Sequence, residues 1–456
     1  MGKREFDVIV MGAGAPGEVC AGRAADGGLD VALVEPHLVG GECSYYACMP
    51  SKALLRPGEL LAEARRVPGV KEAVTGDLDP RAALARRDEV IHDLDDSSQL
   101  PWLEERGIEL FRGPGRLDGE RRVAVGDDVL TARRAVVVAT GSSAAMPPVE
   151  GLDTVGAWNN REGTTSKQVP ESMIVLGGGP VGVELAQAWA TLGTSIHLVE
   201  GDRGLLPREE PFAGGQVEGS LRDNWGVEVR CRCKLSKVRR EGSKVIAETE
   251  DGDTVEAAEI LVAVGRKART EGVGLESVGI EPDGFLEVDD RLRVDGSDWL
   301  YAVGDVNGRA LLTHMGKYQG RIAADRILGR EVEAVAEGLG SPRVTFTDPQ
   351  VAAVGKTLAQ AKEEGINASA TDVDTEANAG GSFQGRGTEG TSRLVVDEDR
   401  KVVVGATFVG FETADFVHAA TIAVVGEVPL DRLWHAVPSF PSRSEVWLKL
   451  LETYGL

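Results

Sequence analysis

Apolar residues in this chain gather in short unbroken runs, and a glycine-rich turn follows two of them. Phe6 to Met11 is one such run. It leads into Gly12-Ala13-Gly14-Ala15-Pro16-Gly17, a stretch of small residues with helical character, and a second apolar run from Val31 to Val34 that ends on Glu35. The pattern predicts strand, glycine turn, helix, strand, acid. It recurs further on: Ile174 to Leu176 reads as a strand and Gly177-Gly178-Gly179-Pro180-Val181-Gly182 as the turn. Glu184 to Leu192 reads as the helix, and Ser195 to Val199 as a strand closing on Glu200. Runs apolar at every position suit strands covered on both faces, as in a parallel sheet with helices on either side.

Other segments read in the same way. Residues 52–110 carry helical periodicity with charged faces, at Ala53 to Arg66 and Arg81 to Arg106, and predict packing helices inserted into the first fold. Ala135 to Gly141 predicts a buried strand ending in a small-residue turn, and Leu300 to Asp305 another with an acid at its tip. The Pro-containing link Met146 to Gly151 separates the first fold from the second. From about Pro342 the chain turns to strands rich in Val and Phe (Val344 to Thr347, Ser392 to Val396, Val402 to Val409), with helices at Leu358 to Glu364 and Ala414 to Val425. The expected fold class is α/β, with two Rossmann-like dinucleotide-binding domains and a C-terminal α+β domain.

The glycines carry chemistry. Gly12, Gly14 and Gly17 allow a tight turn, close approach of backbone N–H groups to a pyrophosphate and close helix packing, while Glu35 is placed to take a ribose hydroxyl. Gly177, Gly179, Gly182 and Glu200 repeat the set, so two dinucleotides are expected. Between the two folds lies Gly40-Gly41-Glu42-Cys43-Ser44-Tyr45-Tyr46-Ala47-Cys48-Met49-Pro50-Ser51-Lys52. A bridge from Cys43 to Cys48 would close so short a loop that chain entropy gives only about 2 kcal/mol, little for a structural staple, and a redox role fits better. Pro50 suits the first turn of a helix, so Cys48 would sit at a helix N-terminus, where the dipole favours a thiolate.

Composition narrows the field. A length of 456 residues suggests about three domains at roughly 150 residues each. A formal net charge of -23 argues against nucleic-acid and anionic-membrane partners, and no apolar stretch reaches transmembrane length. The first residues run through Lys3 and Arg4 into a strand without a signal-peptide pattern, and only five cysteines occur, so the reading is cytoplasmic. The sequence offers no metal-ligand set.

Taken together, these residues resemble the class I pyridine nucleotide-disulfide oxidoreductases, which include dihydrolipoamide dehydrogenase, glutathione reductase and mercuric reductase. The resemblance rests on the turn at Gly12 to Gly17, the loop GGECSYYACMPSK, Ala139-Thr140-Gly141, the turn GGGPVGVE, Val264-Gly265-Arg266, YAVGD ending at Asp305, and FTDPQVAAVG at Phe346 to Gly355. It implies an FAD-binding domain at 1–150 and 270–335, an NAD-binding domain at 151–269, and a C-terminal interface domain at 336–456 through which two chains form a homodimer. By position, Glu35, Lys52, Gly115, Ala139, Thr140, Gly141, Asp305, Leu311, Leu312, Thr313 and His314 resemble FAD contacts. Gly177 to Glu184, Glu200, Val238 and Gly265 resemble nicotinamide contacts. Lys52 and Glu184 are expected to approach one another. Glu200 would accept hydrogen bonds from a free ribose 2′-hydroxyl and repel a 2′-phosphate, which selects NADH, with NADPH second because of Arg203 nearby.

The resemblance also implies a path for electrons, from NADH through FAD to the Cys43–Cys48 disulfide and on to an acceptor, with Cys48 nearer the flavin and Cys43 facing the substrate. The family signature His-Pro-Thr-x-Ser-Glu aligns with Phe440-Pro441-Ser442-Arg443-Ser444-Glu445, so Phe440 stands where the catalytic histidine is usual while Glu445 remains. His435, Tyr45 and Tyr46 are the nearby candidates for replacing it. Two readings follow: an NADH:disulfide oxidoreductase acting on a small-molecule disulfide, and a diaphorase, quinone reductase or transhydrogenase-like flavoenzyme. Dihydrolipoamide dehydrogenase in the strict sense ranks below these. Mercuric reductase does too, because the chain ends without a second cysteine pair and Cys231 and Cys233, spaced for one face of a strand, do not supply it.

Overall fold

The unbroken apolar runs become the centres of parallel sheets. The computed structural model describes residues 3–281, 283–294 and 296–456, and the chain divides into two units. The first comprises Met1–Pro50, Asp88–Ala145 and Arg266–Glu337, and the second Ser51–Arg87, Met146–Gly265 and Gly338–Leu456.

In the first unit the strand Lys3–Met11 lies between Val31–Glu35 and Asp128–Val138, parallel to both, with Met11 opposite Val34 on one side and Val138 on the other. Glu109–Arg112 extends the sheet beyond Val31–Glu35, and Leu300–Ala302 pairs beyond Asp128–Val138. Alternation explains why the runs are apolar throughout. Val8 and Val10 enter one core with Leu33 and Val137, whereas Ile9 and Met11 enter another with Val34 and Val138. Strand order turns around at Lys3–Met11, the kind of switch point that leaves a crevice at the carboxyl ends of the strands. The helices Ala15–Asp26 and Thr313–Ile327 pack closely because Gly320 lacks a side chain. A Cβ there would come within 2.5 Å of the Pro16 carbonyl oxygen.

The second unit repeats the arrangement. Ser172–Leu176 runs parallel between Ser195–Val199 and Glu259–Val262, with Glu228–Arg230 beyond. Met173 and Val175 enter a core built around the buried Trp189, and Ile174 and Leu176 enter a separate one. The segment Ser51–Arg87 groups with this unit rather than with the strands that precede it, since Leu54, Leu55, Ala83 and Leu84 join the Trp189 core. A three-stranded antiparallel sheet spans Leu235–Glu241, Lys244–Thr249 and Thr254–Ala257. A five-stranded antiparallel sheet follows, ordered Arg343–Thr345, Gln350–Gly355, Val402–Gly410, Thr391–Asp397, Ala368–Asp374, with helices Val417–Val425 and Val446–Tyr454 on its core face.

One helix differs from the sequence pattern. The helix expected over Arg81 to Arg106 is broken into Pro80–Val90 and Leu100–Glu105, because His92, Asp93 and Leu94 take positive φ and the Asp95 carboxylate accepts from the Ser97 N–H at 2.8 Å. The helical periodicity of Ala53 to Arg66 belongs to a helix that begins at Cys48, as Pro50 in its first turn, where a missing N–H costs nothing, leads one to expect.

Candidate functional site

Gly12 takes φ +112°, and a Cβ there would strike the Ala139 carbonyl; a Cβ on Gly17 would strike the carbonyl of Gly12. Gly14 is the N-cap of Ala15–Asp26 and supplies no side-chain cap, so the N–H groups of the first helical turn face outward without a side-chain acceptor. Glu35, 7% exposed at the end of its strand, uses each carboxylate oxygen once: one accepts from the Ala13 N–H at 2.7 Å, the other from the His37 N–H at 2.8 Å. Each oxygen keeps a second acceptor site for a ligand hydroxyl. Ala139 follows Asp128–Val138, and its N–H donates to Met11. The Thr140 hydroxyl donates to the Arg269 carbonyl at 2.7 Å, and Gly141 takes φ +74°. Asp305 accepts from the Ser142 hydroxyl at 2.5 Å and lies 3.5 Å from Arg266. A Cβ on Gly115 would come 2.9 Å from Val34. Leu311 and Leu312 lead into Thr313 and His314, the first residues of Thr313–Ile327, whose N-cap Leu312 also gives no side-chain cap. A turn closed to side chains and an oriented carboxylate at the second strand's end are what a dinucleotide's pyrophosphate and ribose require, so these residues fit FAD.

The redox loop folds back onto this turn. The Gly40 N–H donates to the Ala13 carbonyl at 2.8 Å, and a Cβ on Gly41 would come 2.7 Å from the Gly14 Cα. Cys43 lies in the short helix Gly41–Tyr45, and Cys48 opens the helix Cys48–Arg66. The two stand as thiols, hydrogen-bonded side chain to side chain, and the Cys48 sulfur is also 3.4 Å from the Thr313 hydroxyl. Cys48 therefore sits at the N-terminus of its own helix and against the first residue of a second, two positive dipole ends around one sulfur. The Cys43 thiol is pushed up from its ordinary pKa by its bond to Cys48, by burial and by charge on Cys48, while Thr313 and Lys317 pull the other way. Tyr45 is 2% exposed, its hydroxyl pushed up to about 12 by burial and by Asp96 and Glu18; its ring is tilted against Tyr46 at 6.4 Å. Glu18, which sequence reasoning passes over, has its carboxyl pushed up to about 7 by burial against the opposing pull of Lys317. Also missed is an ion pair between Glu42 and Arg269, at 2.8 Å across 227 positions of sequence. No local pattern signals a pairing so distant.

In the second unit Gly177 again takes φ +112°, and a Cβ on Gly182 would strike the Gly177 carbonyl. Gly179 caps Pro180–Thr191 without a side-chain bond. Glu200 accepts from the Gly178 N–H with one oxygen and from the Asp202 N–H at 2.7 Å with the other, the same pair of bonds that Glu35 makes. These residues fit a second dinucleotide by the same test. Arg203 is exposed. Lys52 and Glu184 meet at 2.6 Å, with Glu184 5% exposed and also accepting from the Phe346 N–H at 2.9 Å. Gly265 takes φ +152°. Val238 is buried in the core, and its N–H is spent on the Glu150 carbonyl at 2.7 Å, which leaves it only a carbonyl to offer.

Towards the C-terminus Phe440 is 77% exposed and His435 is exposed, whereas one Glu445 oxygen is buried without a partner among the described residues. Cys231 and Cys233 do not share a face: Cys231 packs on the Trp189 core and Cys233 on the opposite one, because Arg232 between them takes φ +56° and breaks the strand alternation. Among the described residues no group of three or more His, Cys, Asp or Glu side chains is arranged to hold a metal, and no helix is long and apolar enough to cross a membrane.

Comparisons with known proteins agree with this geometry. The pyridine nucleotide-disulphide oxidoreductase family matches residues 6–324, and the dimerisation domain of the same family matches residues 341–451. A mercuric reductase of Streptomyces lividans is 32% identical over 94% of this chain and 93% of its own length, and a dihydrolipoyl dehydrogenase of Haloferax volcanii is 31% identical over 98% and 95%. Among solved structures, a Cu(II) complex of the HOCl-induced flavoprotein disulfide reductase RclA from Escherichia coli superposes with a TM-score of 0.86 at 23% identity, covering 99% of each chain. With two glycine-turn folds, a cysteine pair at a helix N-terminus and a C-terminal dimerisation domain, the chain belongs to the class I pyridine nucleotide-disulfide oxidoreductases.

Proposed function

We propose that this flavoprotein disulfide oxidoreductase takes electrons from NADH and delivers them through Cys43 and Cys48 to a small-molecule disulfide. The observation that carries the reading is the placement of Cys48, hydrogen-bonded to Cys43 and set against Thr313 at two helix N-termini. In this reading residues 1–150 and 270–335 bind FAD, residues 151–269 bind NADH and residues 336–456 join two chains as a homodimer. When bound, FAD and the nicotinamide supply the two-electron transfer that regenerates the dithiol.

The chain's own residues do the rest. The turn at Gly12 to Gly17 presents N–H groups to a pyrophosphate, and Glu35 orients a ribose. Glu200 does the same for NADH and sets like charge against a 2′-phosphate, which ranks NADPH second. Cys48 carries negative charge favoured by the two helix ends, and Cys43 is the sulfur that exchanges. Its thiolate attacks one sulfur of the acceptor disulfide and expels the other as a thiolate, which takes up a proton. Cys48 then attacks the mixed disulfide at Cys43, forms the Cys43–Cys48 bond and expels the second acceptor sulfur as a thiolate. The pair thus supplies two electrons and the one proton it holds, and solvent supplies the second proton that completes the acceptor's two thiols.

The second reading, electron delivery to a quinone, dye or second nicotinamide, is favoured by the exposed Phe440 and the unpartnered Glu445 oxygen. A thiol exchange lacking a histidine base is slower, and acceptors that bypass the thiols need none. Turnover with small disulfides and with quinones, compared between the wild type and Cys48→Ser, separates the two. The disulfide reading predicts a loss of at least about 100-fold with disulfides. Unchanged disulfide turnover in the variant would leave the diaphorase reading.

A further inference from the structure

The redox loop is fastened at three places, and one fastening belongs to no glycine turn or cysteine. Gly40 is held by its N–H on the Ala13 carbonyl, and Cys48 by its contact with Thr313. Between them Glu42, the residue before Cys43, forms its ion pair with Arg269 at 2.8 Å, both side chains partly buried. Arg269 is itself fixed by its backbone. Its N–H donates to the Gly141 carbonyl at 3.0 Å and its carbonyl accepts from the Thr140 hydroxyl at 2.7 Å. It also follows a short strand, Arg266–Ala268, that pairs with Ser142–Ala144. The backbone of Arg269 therefore grips the Thr140-Gly141 turn while its side chain reaches the loop that carries Cys43.

We propose that Arg269 is a positioning residue that, through Glu42, holds Cys43 within bonding reach of Cys48 and so favours closure of the disulfide. The proposal rests on the disulfide reading above and adds what sets the balance between open and closed pair. Closure joins the two sulfurs, releases two protons and passes two electrons to an oxidised acceptor. Its equilibrium constant depends on how often the open loop presents the thiols to one another. The loop keeps its own helical turn, with the Tyr46 N–H on the Glu42 carbonyl, and the charge-assisted bond from Glu42 to a fixed guanidinium narrows how that turn, and Cys43 on it, is set against Cys48.

The test is an equilibrium measurement on the full-length, FAD-loaded protein in buffers of reduced and oxidised dithiothreitol, quenched with acid. Cys43 and Cys48 are then counted as thiols or disulfide by alkylation and peptide mass. Arg269→Ala and Glu42→Gln should each lower the equilibrium constant for closure about tenfold, equal to about 30 mV for this two-electron couple. The double variant should fall no further than either alone, as for two members of one contact. Arg269→Lys, which keeps the charge without the planar fork, should lie between. Closure constants equal to the wild type's, or singles whose effects add in the double variant, would overturn the proposal. Loss of FAD from Arg269→Ala alone would overturn it as well, since the side chain would then be serving the Thr140-Gly141 turn. Failure of the underlying reading looks different: the wild-type pair itself would show no disulfide at any buffer ratio.

Discussion

The two glycine-turn folds are close copies in backbone and differ in what the chain does after the acid. In both, an N–H at the second position of the turn donates to a carboxylate 22 residues later, from Ala13 to Glu35 and from Gly178 to Glu200. In both, the chain beyond the acid returns to the turn and donates an N–H to the carbonyl of that same second residue, from Gly40 to Ala13 at 2.8 Å and from Leu206 to Gly178 at 3.0 Å. The returning segment of the first fold brings Cys43 and Cys48. That of the second brings the buried Leu205 and Leu206, and a Cβ on Gly178 would come 2.6 Å from the Leu205 side chain. One framework thus recurs with two different returning segments, and the one in the first fold carries the cysteine pair.

The comparison breaks most visibly at the glycines. Gly17→Val and Gly182→Val make the same intrusion on a backbone carbonyl in the two folds, and their consequences should separate. Gly17→Val should leave the purified protein with less than about a tenth of its flavin by absorbance, whereas Gly182→Val should keep the flavin and weaken NADH at least about 100-fold by titration. Loss of flavin from Gly182→Val would show that the two turns do not bind separate nucleotides. A smaller effect is expected at the acids. Glu200→Gln removes a charged acceptor and should raise the dissociation constant for NADH about 10- to 100-fold while narrowing the gap to NADPH. An unchanged preference would mean that the carboxylate does not discriminate between them.

The most gradual effect contrasts the cysteines. The Cys43 pKa is raised above the ordinary thiol value, so its reactive thiolate is the minor form at neutral pH and grows as pH rises. Alkylation of the reduced protein at Cys43 should accelerate about threefold per half unit from pH 7 to pH 9, without a plateau. Cys231 in the second unit, pushed up to about 11 by burial and by Glu218, is raised less than Cys43 and should follow the same slope from a faster start. A plateau for Cys43 below pH 8 would reveal a base near it.

Much of this is legible in the sequence because it is local. The strands Val31–Glu35 and Ser195–Val199, both acids, both turns and the start of a helix near Pro50 follow from adjacent residues with strong backbone preferences. The break in the helix after Val90 is not legible, because Asp95 takes up the Ser97 backbone N–H that a helix would have used, and apolar periodicity is blind to that competition. The pairing of Glu42 with Arg269 and the contact of Cys48 with Thr313 are equally out of reach, since each joins residues more than 200 positions apart. Cys231 and Cys233 mislead for a third reason. Their spacing suggests an extended strand, and the positive φ of Arg232 turns them to opposite faces.

The central claim is that the cysteine pair of the first unit is a second store of electrons beside the flavin. Anaerobic titration of the FAD-loaded protein with NADH, followed by flavin absorbance and by counting thiols, tests it directly. The wild type should take up four electrons per FAD and gain two thiols, while Cys48→Ser should stop at two electrons and gain none. Uptake of only two electrons by a wild type whose Cys43 and Cys48 were oxidised at the start would contradict the account.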